Sequence, residues 1–205
     1  MEAKTCAIFQ LSFLCAFLFL ISNLQTAIAA VSTDKTCSNT YKIYILTSCN
    51  STTYPTDCYK SLKSYYNTIK TDPLKLCKTS LKVTLKTARN TSALVSSIAK
   101  QGGLSSAEKA IVKDCIDEIS DSIDELKDSL DEMEHLGTGS RLHLQIANIQ
   151  TWVSAALTDE NTCTDEIDEG NKVSKSVKNK IRKSVVNLAK QTSNSLALIN
   201  NNLKS

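Results

Sequence analysis

Four stretches of the chain place apolar residues at helical spacing. The most regular runs from Val112 to Met133, where apolar residues recur at alternating steps of four and three and the residues between them are almost all Asp, Glu, Ser or Lys. This heptad pattern is typical of an amphipathic helix with one buried face. Ser105 and Glu108 stand at capping-box spacing and predict its start, and Gly137-Thr138-Gly139-Ser140 predicts its end.

The other three stretches have the same kind of apolar face. They extend from Cys77 to Ile98, from Leu142 to Ala156 and from Val173 to Leu203. The polar segment Thr158-Asp159-Glu160-Asn161 is expected to end the middle one as a turn. No segment shows the alternation of a strand. Four amphipathic helices with short connections predict an all-α fold, an antiparallel four-helix bundle.

A helical hairpin is predicted before the bundle. Apolar residues between Tyr41 and Leu46 indicate one short helix, and Pro55 is well placed in the first turn of a second. We therefore divide residues 31–205 into a hairpin, 31–72, and a bundle, 73–205. A hairpin this small buries too little apolar surface to be stable without a covalent staple.

Residues 1–30 have the organisation of a secretory signal peptide. Lys4 is followed by an apolar stretch from about residue 7 to residue 24, and small residues surround the cleavage site at Ala27, Ala29 and Ala30. A membrane anchor is the alternative, but polar residues interrupt the stretch and no basic stop-transfer flank follows. We therefore expect a mature chain, 31–205, that is secreted and has no membrane association after cleavage.

Composition excludes several classes of function. The chain has 2 His, 5 Gly, 5% aromatic residues and a net charge of +3. Few histidines remove the commonest general base and metal ligand, and few aromatic residues with little net charge argue against a nucleic-acid partner. The sequence contains no nucleophile elbow, zinc-protease, P-loop or dinucleotide motif. We expect a non-enzyme with no catalytic residues, no cofactor and no metal.

Cysteine content agrees with an oxidising compartment. The chain has 8 Cys, of which the leader removes Cys6 and Cys15. An even set of six then remains, which favours disulfide bonds in a secreted protein. A metal site is less favoured because no Cys-x-x-Cys pair occurs. Asn50 and Asn90 begin N-glycosylation sequons and are glycosylation candidates.

Charge is distributed unevenly along the chain. Acids dominate residues 114–134, whereas residues 172–190 hold bases and no acid. One interpretation is that the two helices are neighbours with complementary solvated faces. The other is that the acidic helix forms part of a partner surface. The basic helix could also contact anionic polysaccharide, although an acid helix nearby would weaken its field.

Four cysteine contexts together resemble a known family. The segment Cys49–Cys58 (CNSTTYPTDC), the stretch Lys113-Asp114-Cys115, and the segment Gln150–Thr158 (QTWVSAALT) leading to Cys163 are similar to the signatures of the plant invertase/pectin methylesterase inhibitor family. The similarity extends over essentially the whole mature chain. It implies a disulfide-stapled helical hairpin on a four-helix bundle, the same fold that the periodicity predicts.

The resemblance also implies the disulfide pairing. It pairs Cys49 with Cys58 and Cys115 with Cys163, and the second bond would stabilise the fold by about 4 kcal/mol in the chain-entropy model. Cys37 and Cys77 lie outside the four-cysteine pattern. They form either a third bond or two free thiols.

Function is implied by the resemblance alone. It implies a secreted inhibitor that forms a 1:1 non-covalent complex with pectin methylesterase in the cell wall and covers the active-site cleft. Invertase is the alternative target, but invertase inhibitors of this type carry a Pro-Lys-Phe motif that the loop 137–142 lacks. A non-inhibitory secreted bundle is a third possibility.

The family's contact surface is formed mainly by the second and third bundle helices, here about 106–136 and 141–158. The apolar seam of the second helix must face the core, so its outward aspartates are the interface candidates: Asp117, Asp121, Asp124 and Asp128.

Overall fold

The computed structural model describes residues 37–170 and 173–203, and this part of the chain is helical without a strand. The predicted signal peptide lies outside the described residues. The helices are α1 (37–49), α2 (Pro55–Leu62), α3 (Tyr66–Ile69), α4 (Pro73–Lys100), α5 (Ser106–Glu134), α6 (Ser140–Glu169) and α7 (Lys175–Asn202), with one 3-10 turn (Lys63–Tyr65) between α2 and α3. The all-α prediction is confirmed.

The four long helices form the predicted antiparallel bundle. Helix α5 packs against α4 and α6, and helix α7 also packs against α4 and α6. The helices therefore follow one another around the bundle, and α5 and α7 occupy diagonal corners. All contacts described below lie within the compact unit that begins at Lys42. Within the described residues, no helix is both long enough and apolar enough to cross a membrane.

The seam predicted for α5 faces the core. Val112, Ile119, Leu126 and Met133 are fully buried, and the seam residues between them are partly buried. The predicted capping box is also present, because the Ser105 hydroxyl accepts from the Glu108 amide and the Glu108 carboxylate accepts from the Ser105 amide.

Glu108 also connects two helix starts. Its Oε2 accepts from the Ser105 amide at 2.9 Å, and its Oε1 accepts from the Ser174 amide, at the start of α7, at 2.8 Å. These hydrogen bonds lower the pKa of Glu108 to about 2. A negative charge at two helix N-termini also interacts favourably with both helix dipoles, so one side chain fixes the end of the bundle where α5 and α7 begin.

Helix α6 is longer than the sequence indicated. The predicted turn at 158–161 is wrong, since α6 continues without a break to Glu169. The segment holds no Gly or Pro, and the helical spacing of buried positions continues through Glu160, Cys163 and Ile167. The pattern of apolar residues did not predict this part of α6, because Glu160 occupies a buried position where an apolar residue is expected.

The N-terminal hairpin is joined to α7 by one buried asparagine. The Tyr54 amide donates to Asn194 Oδ1 at 2.9 Å, and Asn194 Nδ2 donates to the Tyr54 carbonyl at 3.0 Å. Cys49 and Cys58, on either side of the turn, are bonded to each other and buried. The Asn194 side chain thus satisfies both backbone polar groups of Tyr54 in the turn. The disulfide bond joins the two ends of the turn.

Hydroxyl groups join α4 to α7 inside the bundle. Ser195 Oγ lies 2.6 Å from Ser80 Oγ and 2.9 Å from Thr84 Oγ1, and all three side chains are buried. Because each hydroxyl both donates and accepts, the three groups satisfy one another away from water. This contact lies in the larger apolar core, while a second core surrounds the Cys115–Cys163 bond.

Candidate target-binding surface

Four aspartates form an exposed acidic stripe along α5, namely Asp117, Asp121, Asp124 and Asp128. Lys113 Nζ lies 2.6 Å from the Asp117 carboxylate, and Lys127 Nζ lies 2.6 Å from that of Asp124. The other two members have no ion pair among the described residues. Exposed pairs of this kind stabilise a helix only weakly, so the stripe remains a negative surface open to a partner.

The acidic stripe does not face the basic helix. The interpretation that the acidic and basic helices are neighbours with complementary faces is wrong, because α5 and α7 are diagonal in the bundle. The ion pairs between long helices join α5 to α4, through Lys82 and Glu134 at 3.2 Å, and α7 to α6, through Arg182 and Asp168 at 2.8 Å. Consecutive helices with short connections become neighbours, which places the second and fourth apart.

A shallow depression lies on the outer face of α6. Its lining consists of small and polar side chains: Ala147, Gln150, Thr151, Ser154, Ala155 and Thr158. Val153 and Ala156 of the same segment are fully buried. The segment QTWVSAALT therefore has a core face and a solvent face, and the small side chains of the solvent face allow another protein to approach the helix closely.

A carboxyl cluster lies between α5 and α6. It consists of Glu118 and Glu125 from α5 and Asp159 and Glu166 from α6, all partly buried. Burial, followed by the charges of neighbouring carboxylates, raises the pKa of Glu118 and of Glu166. Burial and then the interaction with Asp159 raise the pKa of Glu125. The burial of Asp159 raises its pKa as well, so all four pKa values shift in the same direction.

Glu160 lies in the centre of the bundle and is fully buried. Its Oε1 accepts from Ser122 on α5 at 2.9 Å and from Thr192 on α7 at 2.8 Å. Its Oε2 has no hydrogen-bond partner among the described residues. Burial raises its pKa to about 8, although the two hydroxyls oppose the shift. One side chain thus connects three helices and favours its neutral form.

The structure contains both disulfide bonds that the resemblance implies, Cys49–Cys58 and Cys115–Cys163. Cys37 and Cys77 are each a free cysteine. Cys77 is fully buried and its Sγ lies 3.6 Å from the Leu198 carbonyl, whereas Cys37 is exposed. Burial raises the pKa of the Cys77 thiol to about 12.

Both glycosylation candidates have exposed asparagines. Asn50 follows the end of α1, directly after the bonded Cys49. Asn90 lies on the exposed side of α4, while Thr91 of the same sequon is buried and shares a 2.9 Å hydrogen bond with Ser184. Modification at either position stays a prediction.

Sequence reasoning missed the carboxyl cluster and Glu160. The heptad pattern predicts that the acids of α5 lie on an outward face, and the polar segment 158–161 predicts a turn that contains Asp159 and Glu160. One signal was available: Glu160 lies seven residues after Val153 and seven before Ile167, which is the spacing of one helix face.

Comparison with known proteins identifies the family. The profile of the family described as "Plant invertase/pectin methylesterase inhibitor" matches residues 44–198. The chain belongs to this family. It is 51% identical over 158 residues to "Pectinesterase inhibitor 4" of Arabidopsis thaliana, covering 76% of this chain and 79% of that protein. It is 40% identical over 192 residues to "Pectinesterase inhibitor 11" of the same plant, covering 90% and 93%.

A solved structure supports the same assignment. The crystal structure of a pectin methylesterase inhibitor from Arabidopsis thaliana superposes with a TM-score of 0.52 at 27% identity, covering 78% of this chain and 96% of that one. The chain is therefore a pectinesterase inhibitor-like protein of the family. The acidic stripe, the depression on α6 and the carboxyl cluster are features of a family member with two relatives that are named pectinesterase inhibitors.

Proposed function

We propose that this protein is a secreted, non-enzymatic inhibitor that forms a 1:1 non-covalent complex with plant pectin methylesterase in the cell wall and covers its active-site cleft. The observation that carries the proposal is the 51% identity to a protein named as a pectinesterase inhibitor. The shared segments include the bundle helices rather than the cysteines alone, since the family match extends over residues 44–198.

The loop between α5 and α6 supports pectin methylesterase over invertase. It contains Gly137, Thr138 and Gly139 and no Pro-Lys-Phe motif. The Gln145 side chain closes this loop, because its Oε1 accepts from the Gly137 amide at 2.7 Å and its Nε2 donates to the His135 carbonyl at 3.0 Å. Between the two glycines, Thr138 is the one side chain that the segment 137–139 presents to a target.

The target contacts the outer faces of α5 and α6. These helices pack against each other most extensively in the bundle, so their outward residues form one rigid pair. The acidic stripe supplies charge for the basic or hydrogen-bond donor groups of a partner. The depression on α6 supplies small side chains against which a partner can pack closely.

One substitution tests this surface directly. Ala147 is exposed within the α6 depression, and replacement by Arg would fill the depression without removing any buried group. We expect Ala147→Arg to weaken inhibition of a plant pectin methylesterase at least about tenfold, as the loss of a central interface contact would. Inhibition constants for the wild-type and variant proteins provide the measurement.

A matched control uses a different helix. Ala93 on α4 is also exposed, so Ala93→Arg adds the same side chain and the same charge away from α5 and α6. Its inhibition constant should stay within about twofold of wild type, a difference well under 1 kcal/mol. Equal losses in both variants, or an unchanged constant for Ala147→Arg, would place the contact elsewhere on the bundle.

A further inference from the structure

A groove follows the outer face of α7, at the corner of the bundle diagonal to α5. Two adjoining depressions form it and share Val186 and Lys190. The first is bordered by Arg182, Lys183 and further α7 side chains. The second reaches Tyr54 of the hairpin turn. The groove therefore lies where the hairpin meets α7 and uses neither the acidic stripe nor the depression on α6.

Positive charge dominates the first depression. Its charged lining consists of Arg182, Lys183, Lys190 and Asp57, and Arg182 Nε also lies 2.8 Å from the Asp168 carboxylate of α6. Lys190 Nζ lies 3.5 Å from the Asp57 carboxylate, whereas Lys183 has no ion pair among the described residues. Helix α7 as a whole carries no acid, so no group on the same helix neutralises these bases. Two of the three bases have a carboxylate partner, and Lys183 leaves the groove with positive charge for an anion.

The remaining lining has the chemistry of a sugar-binding surface. Asn179 and Asn187 offer amides in the first depression, and Asn161, Thr164 and Ser193 offer amide and hydroxyl groups in the second. Tyr54 is 37% exposed, and Lys190 Nζ lies 5.3 Å from the centre of its ring. Amides and hydroxyls pair with sugar hydroxyl groups, an aromatic ring packs on the apolar side of a pyranose, and the bases pair with carboxylates.

The dimensions suit an extended polymer. Asn179 and Ser193 are separated by 14 positions on one helix, which corresponds to about 21 Å along the axis. The depressions are open and lack a deep apolar cavity for a lipid chain. A single exposed aromatic ring does not provide the repeated stacking that a nucleic-acid strand requires.

We propose that the α7 groove binds a linear acidic polysaccharide, a polyuronate whose carboxylates pair with Lys183 and Lys190 while its sugar rings contact Tyr54. This inference does not require the proposed enzyme target, because the groove, although it includes Asn161 and Thr164 of α6, shares no residue with the acidic stripe or the α6 depression. Together, the two surfaces would let one molecule hold an enzyme and a charged polymer at the same time.

Binding of de-esterified polygalacturonate oligomers, measured by isothermal titration calorimetry on the mature chain, tests the proposal. We expect binding that weakens with added salt and is lost with fully methyl-esterified oligomers, because esterification removes the carboxylate charge. Lys183→Gln/Lys190→Gln should weaken affinity about tenfold or more, since two charge-assisted contacts disappear. Lys183→Gln alone disturbs no ion pair among the described residues and should also weaken affinity, by less than the double variant does.

The control is Lys86→Gln/Lys109→Gln, which changes net charge equally with exposed lysines of α4 and α5. Its affinity for polygalacturonate should stay within about threefold of wild type, because salt screens the attraction between distant charges.

Tyr54→Ala should weaken binding of polygalacturonate and leave any binding of polyglutamate, which has carboxylates without sugars, unchanged. Absence of polygalacturonate binding, equal losses in both lysine pairs, or equal affinity for polyglutamate and polygalacturonate would each overturn the proposal. Inhibition of pectin methylesterase, measured on the same variants, reports separately on the proposed function.

Discussion

Two glutamates show how position decides the behaviour of one residue type. Glu108 accepts backbone hydrogen bonds at two helix starts, and its pKa is lowered to about 2. Glu160 is enclosed by the bundle, and its pKa is raised to about 8. The fold therefore favours the ionised form of the first and the neutral form of the second.

These opposite shifts predict the pH dependence of stability. Glu160 has a folded pKa above its ordinary value of 4.5, so its contribution is complete below about pH 4.5 and is lost as pH rises towards 8. The carboxyl cluster acts in the same direction, since its pKa values are also raised. The contribution of Glu108 is present above about pH 4.5 and is lost as pH falls towards 2.

We expect Glu160→Gln to remove much of the loss at higher pH. The amide keeps an acceptor for Ser122 and Thr192 and cannot ionise. Urea unfolding of the wild type should show the free energy of unfolding falling by a few kcal/mol between about pH 5 and pH 8, and Glu160→Gln should flatten that slope. Glu118→Gln, at a less buried member of the carboxyl cluster, should flatten it less. Parallel pH profiles for wild type and Glu160→Gln would contradict this account of the buried carboxyl group.

Cys37 and Cys77, the free cysteines of the described residues, should differ in reactivity. Cys37 is exposed, whereas Cys77 is buried and its pKa is raised to about 12, so thiolate is nearly absent there at neutral pH. Alkylation of the native, unreduced protein at neutral pH should label Cys37 alone, and denaturation should add Cys77. Peptide mapping without reduction should recover Cys49–Cys58 and Cys115–Cys163. Labelling of Cys115 in the active protein would contradict the pairing.

At the scale of the helix, the acidic stripe has a measurable consequence. Like charges at i,i+4 spacing destabilise a helix by a few tenths of a kcal/mol per pair, and α7 does not offset this because it is diagonal to α5. Asp121→Asn/Asp128→Asn removes the two members without an ion pair. We expect thermal unfolding to show unchanged or slightly raised stability, together with weaker inhibition of pectin methylesterase. Lower stability would indicate that these acids have a partner inside the protein.

The sequence predicted helices better than it predicted their arrangement. Periodicity placed α5 almost to the residue because Ser105, Glu108 and the seam all agree. Periodicity ended α6 too early because Glu160 is a charged residue type, although its side chain occupies a core position. The relative placement of α5 and α7 depends on packing order, which charge complementarity does not specify. The sequence also does not predict the buried contact between Asn194 and the hairpin turn, because Tyr54, the partner of Asn194, lies 140 positions away.

At the scale of the whole bundle, the helix richest in acids and the helix richest in bases lie apart, although both also form ion pairs. The acidic α5 and the basic α7 lie at diagonal corners, and α4 and α6 lie between them. A dipolar arrangement of this kind orients a protein near charged partners and strengthens at low ionic strength. It also keeps two surfaces of opposite sign available at once, an acidic one beside the α6 depression and a basic one at the α7 groove.

The most direct test of the central proposal is a stoichiometric titration. A fixed amount of plant pectin methylesterase, well above the dissociation constant, is titrated with refolded residues 31–205, and ester hydrolysis is followed at mildly acidic and neutral pH. A plant acid invertase is titrated in parallel. We predict that pectin methylesterase activity falls linearly to an end point at one inhibitor per enzyme at one or both pH values, while invertase activity stays unchanged. Inhibition of invertase with none of pectin methylesterase would contradict the account.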